Sequence, residues 1–191
     1  MRIVPTLGLV AALALSACSA GGDATTATPS PSGKAMVTLS YQVPNGFAKV
    51  AAPSRSPQAG MSYDITTFEQ DSSGCALQVM RVLMSSSNTM EDQDVTYNMV
   101  SGMATAQGVE DADKVTEGLY FPGEPGPVPG LQVAGEATAK TIRVAGRLSN
   151  ESLQGFSLMM LCPKGKLDAT VWKQFVEQVR VDGFQGSLEE H

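Results

Sequence analysis

The chain has 191 residues, with 13 Lys and Arg against 19 Asp and Glu, for a formal net charge of −6. Its basic residues stand singly, which excludes the clustered Lys/Arg footprint of a nucleic-acid binder and any electrostatic hold on anionic lipid. The one histidine is the terminal His191, so Ser–His and Cys–His nucleophile pairs and imidazole-rich metal sites are excluded as well.

Residues 1–17 read as a processing signal rather than as structure. Arg2 supplies a short positive region, and Ile3 to Leu15 form an apolar stretch interrupted by Pro5, Thr6 and Gly8. That stretch falls short of the roughly 20 apolar residues needed to span a bilayer. The run Leu15-Ser16-Ala17-Cys18 then resembles the lipobox of bacterial lipoprotein signal peptides. The resemblance implies cleavage before Cys18 and a thioether-linked diacylglycerol on that cysteine. It also implies an exported protein tethered to the outer face of the cytoplasmic membrane. Acyl chains such as palmitate add ~0.8 kcal/mol per buried CH₂, so two chains hold where one binds only marginally.

The tether that follows, residues 18–35, is nearly all Ser, Ala, Gly, Thr and Pro beyond the cysteine, with only Asp23 and Lys34 charged. Such a composition cannot bury enough apolar surface to fold, and as a flexible coil it reaches roughly 20–25 Å. Residues 36–185 are expected to form one domain and residues 186–191 a frayed tail.

With Cys18 assigned to lipid, Cys75 and Cys162 remain, in a compartment where disulfides persist. Joining them closes a loop of nearly ninety residues, for which chain entropy gives roughly 4–5 kcal/mol. The alternative is two separately buried thiols.

Val37, Leu39, Tyr41 and Val43 alternate with polar residues as in a half-buried strand, which Pro44-Asn45-Gly46 ends. Met61, Tyr63, Ile65 and Thr67 alternate again. The turn Asp71-Ser72-Ser73-Gly74 leads into Cys75 to Leu83, predicting a hairpin. A helix follows, with Thr89 as N-cap, Glu91, Asp92 and Asp94 in its first turn and Gly108 as C-cap. Its apolar stripe is Val95, Met99, Val100, Met103 and Ala104. Residues 131–144 read as one bent strand or two, 146–154 as a loop, and Phe156 to Cys162 as a final strand. In the last helix Asp168 is the N-cap, Leu167 and Trp172 form a hydrophobic staple, and Trp172, Phe175, Val176 and Val179 share a face. If the strands carrying Cys75 and Cys162 are antiparallel neighbours, their Cα atoms fall within the ~4.4–6.8 Å that a bridge requires.

This order defines an α+β fold: an antiparallel sheet of about six strands flanked by two main helices. The order, the lipobox and the motif Tyr41-Gln42-Val43-Pro44-Asn45-Gly46-Phe47 together resemble actinobacterial lipoproteins of the LpqN/LpqT type. The resemblance implies a PsbP-like fold and carries no catalytic residue across.

No nucleophile elbow, Ser-x-x-Lys pair or phosphate-binding loop is present. Glu110, Asp111, Asp113 and Glu117 crowd a short segment, but the spacing lacks an EF-hand's glycine and terminal glutamate. A solvated acidic face is the expectation there. The methionines, among them Met80, Met84, Met90, Met99, Met103, Met159 and Met160, suit Cu(I) chemically. Their core positions favour packing instead, or an adaptable apolar pocket. No metal or cofactor is therefore expected.

The segment from Pro122 to Gly130 holds seven Pro or Gly in nine residues. Its Pro122, Gly123, Pro125, Gly126, Pro127 and Pro129 form a candidate binding loop, the alternative being a rigid connector. The expected function is a non-catalytic envelope module that contacts another protein. Next comes a carrier of lipid or an apolar small molecule in a Met-lined pocket, and last an enzyme with carboxylates around Asp64 or Glu69.

Overall fold

The computed structural model describes residues 37–51, 60–87, 89–110 and 115–185. The signal segment, Cys18, the tether, the 186–191 tail and, of the acidic cluster, Asp111 and Asp113 lie outside these residues. In chain order the elements are β1 (Thr38–Ser40), β2 (Ala48–Val50), β3 (Met61–Gln70), β4 (Cys75–Met84) and α1 (Asp92–Thr105). They continue with β5 (Val115–Phe121), β6 (Val128–Glu136), β7 (Lys140–Ser149), β8 (Gln154–Pro163), α2 (Ala169–Gln178) and β9 (Arg180–Asp182).

Seven strands form one antiparallel sheet in the order β2-β3-β4-β8-β7-β6-β5. The expected count of about six is corrected to seven, with a separate two-stranded ribbon of β1 and β9. β5 was hidden in a stretch without clean alternation, and its pairing with β6 slips between Thr116 and Leu119. The 37–43 strand is also redrawn. Only Thr38–Ser40 pair, and they pair with β9 rather than with the sheet. Residues 146–154 are not one loop, because β7 runs to Ser149 and turns into β8 at Gln154. Glycine, serine and asparagine there read as loop chemistry, yet Arg147 and Ser149 are fully buried within the strand.

Period-2 alternation places α2 on one face of the sheet and α1 on the other. Under α2 lie Cys75, Leu77, Val79, Phe156, Leu158 and Met160, packed on Trp172, Phe175 and Val176. Asp168 caps α2 as expected, its Oδ1 accepting from the Thr170 and Val171 amides at 2.8 and 3.4 Å. Cys75 stands opposite Cys162, one step beyond the Ala76–Leu161 pair of neighbouring β4 and β8. The two are joined by a disulfide with Cα atoms 4.1 Å apart. That is just under the expected range and nearest the ~4.5 Å of a directly opposed, non-hydrogen-bonded antiparallel pair.

Against the other face, Val100 and Ala104 of α1 pack on Leu131, Val133, Ile142 and Val144. The helix starts two residues later than Thr89 predicts, with Glu91 as an N-cap that makes no side-chain bond. A tertiary contact replaces the cap. Asp92 accepts the Asn150 amide at 2.7 Å and pairs with the buried Arg147 at 3.0 Å. The same guanidinium reaches Thr96 Oγ1 at 3.0 Å and lies over the Phe184 ring at 5.9 Å. Burial lowers the Arg147 pKa, and the Asp92 carboxylate opposes that shift.

Candidate functional site: a methionine-lined cleft

α1 covers β6 and β7 more fully than β3 and β4, and a cleft of about 490 Å³ remains between the helix and the sheet. That volume lies within the ~300–1,000 Å³ typical of small-molecule sites. Its floor is the α1 face of the central strands. β3 supplies Met61 and Tyr63, β4 supplies Met80 and Val82, and β7 and β8 supply Leu148 and Met159. Alternation dictates these positions, since residues two apart share a face.

The other wall is helical. Val95, Met99, Gly102, Met103 and Ala106 recur at intervals of three and four along the side of α1 that faces β3 and β4. Met90 and Asn98 complete one end and Gln107 the other. Six of the chain's ten methionines therefore line one concavity, drawn from four elements and the segment before α1. Met99 reaches across to the sheet. A Cβ on Gly146 would lie 3.0 Å from its methyl carbon, so the glycine is what seats it.

Polar chemistry in the cleft is sparse and neutral. Tyr63 donates its hydroxyl to Met61 Sδ at 3.0 Å, and Asn98 Nδ2 lies 3.7 Å from Met90 Sδ. No Asp, Glu, Lys, Arg or His lines the cleft among the described residues. Unbranched thioethers have three rotatable bonds and a polarisable sulfur, so such a wall refits itself to ligands of different shape.

The Pro/Gly segment is built differently from what its composition alone conveys. Val128, Pro129 and Gly130 belong to β6, leaving 122–127 as the connection from β5. The connection lies along β9. The Val181 amide donates to Pro122 O at 2.8 Å and the Gly183 amide to Glu124 O at 3.0 Å. Gly123 is obligatory, because a Cβ there would sit 1.7 Å from Val181 O. Asp182 accepts the Glu124 amide at 2.9 Å, and hydrogen bonding from Arg180 holds its carboxyl below the usual aspartate value. The segment is not brought together with the methionine cleft: its residues do not appear in that lining.

The carboxylates singled out for catalysis do not converge. Asp64 pairs with Arg81 directly across β3 and β4, with Nε to Oδ2 at 3.0 Å. Glu69 is an odd number of residues further along and points to the opposite face. Among the described residues no group of three or more His, Cys, Asp or Glu is placed to hold a metal ion.

Fold and site together define an α+β domain with a helix on each face of an antiparallel sheet and an apolar cleft under one helix. No protein-family model, curated protein or solved structure matches the chain.

Proposed function

We propose that this protein is an envelope-anchored binding module that holds an apolar small molecule in the methionine cleft. The observation that carries this is the gathering of six thioethers around one concave, uncharged space of small-molecule size. The sequence by itself favours protein contact first and a carrier second. The cleft favours the carrier over protein contact, because a half-open concavity with an apolar floor suits a small molecule better than a flat partner surface. The reading is of a binder, and no reaction is assigned to the site.

The Cys75–Cys162 disulfide supports export, since such bridges persist in oxidising compartments. The lipobox at Cys18 supports a lipid anchor, so the ligand site would stand within a tether's length of the membrane. An antiparallel sheet between two helices supports a PsbP-like fold of the LpqN/LpqT type. So does the turn at Pro44–Phe47, closed by a 3.2 Å bond with Gly46 at φ +85°. Protein contact through the 122–127 segment is the second reading, favoured by Tyr120, 53% exposed at the end of β5.

The test uses the disulfide-oxidised Cys18→Ala chain, which carries no acyl group, titrated with Nile red. Saturable binding with a blue-shifted emission is expected. Met103→Glu, which places a charge in the cleft from a half-buried helix position, should weaken it at least about tenfold. Absence of saturable binding, or indifference to Met103→Glu, overturns the assignment.

A further inference from the structure

Gly102 lies in the interior of α1, where glycine is the worst residue for helix stability after proline. The usual reasons for a helical glycine are missing. A Cβ built at Gly102 meets no heavy atom within 4 Å, so no close approach demands it. Its φ is not positive, so no left-handed backbone demands it either. The position does border the cleft, one turn from Asn98 and one from Ala106, with Met99 and Met103 beside it.

We propose that the cleft takes an uncharged apolar ligand, and that the room left by the missing side chain at Gly102 is part of its site. This rests on the binding reading above and names the ligand class. The described lining offers Tyr63, Asn98 and Gln107 as its polar groups and no charged side chain. Gly102 and Asn98 are exposed at the cleft mouth, but a carboxylate, phosphate or ammonium lodged deeper, against the buried Met80, Val82, Leu148 and Met159, would be desolvated without a counter-ion, which favours leaving it in water. A hydroxyl, ether or amide meets groups it can hydrogen-bond, and an aromatic ring gains contacts to sulfur.

Two variants and a matched set of competitors test this on the same Cys18→Ala chain. Gly102→Ala should raise the melting temperature, because nothing opposes the gain in helix propensity. Gly102→Leu should keep the parent's melting temperature or exceed it, yet bind Nile red at least about tenfold more weakly. A residue that matters only to folding would not separate the two readouts. In competition at neutral pH, 1-decanol should displace Nile red, with decanoate and decyltrimethylammonium each at least about tenfold less effective. Parent-like binding by Gly102→Leu, or an ion competing as well as the alcohol, overturns this proposal and leaves the cleft assignment standing. Failure of the parent chain to bind Nile red overturns both.

Discussion

Arg147 and Asp64 belong to two ion pairs that look alike in a contact map and differ in energy. Arg147 is fully buried and its partner Asp92 keeps 18% exposure, whereas Arg81 keeps 12% and its partner Asp64 43%. A buried charge that loses its partner stays desolvated, at a cost of about 3–5 kcal/mol, while a pair whose partners both keep contact with water contributes less. Asp92→Ala is therefore expected to lower stability by ~3–5 kcal/mol. Asp64→Ala should cost less than that, because the Arg81 left behind keeps a contact with solvent that Arg147 lacks. Urea denaturation of both variants checks the ranking, and equal losses would contradict it. Asp92 also ties the start of α1 to the β7–β8 turn through the Asn150 amide, so its loss should loosen the helical wall of the cleft.

Among the elements, β4 and β8 form the hinge of the topology, because they join the hairpin before α1 to the strands after it. Their ladder runs from Ala76↔Leu161 to Leu83↔Gln154, and the disulfide closes one end of it. Cys75 and Cys162 are 4% and 1% exposed, so the bridge is shielded within the layer under α2. Replacing both with serine should cost about 2–5 kcal/mol. The strand pairing itself, held by ladder bonds and apolar neighbours, should survive. Guanidinium denaturation with far-UV circular dichroism separates the two effects. A change in the native spectrum would show that the bridge builds the sheet rather than stabilising it.

At the scale of the whole molecule, the proposed ligand cleft lies on the α1 face of the sheet, and the proposed anchor precedes the domain in the chain. Among the described residues no helix is long and apolar enough to cross a membrane. Membrane retention is thus expected to depend on acylation. Cys18→Ala should abolish incorporation of radiolabelled palmitate and leave a fully secreted or unprocessed protein in place of the acylated, membrane-bound one. Palmitate still entering the variant would sink the lipobox assignment and, with it, the envelope location of the cleft.

Local chemistry made much of this legible in the sequence. Asp168 announces α2 because a cap needs only its own next three residues, and Asp71–Gly74 announces the β3–β4 hairpin for the same reason. Cys75 and Cys162 could be paired by sharing alternation with Leu77 and with Met160. What stayed hidden depends on distant neighbours. The irregular β5 exists because β6 pairs with it, β1 finds β9 far along the chain, and Arg147 is strand rather than loop because Asp92 neutralises it. The methionines read one by one as core filler, since periodicity places a side chain on a face but does not say how much of that face a helix covers. Only the docking of α1 toward β6 and β7 left β3 and β4 partly uncovered and turned six packing residues into the wall of a cleft.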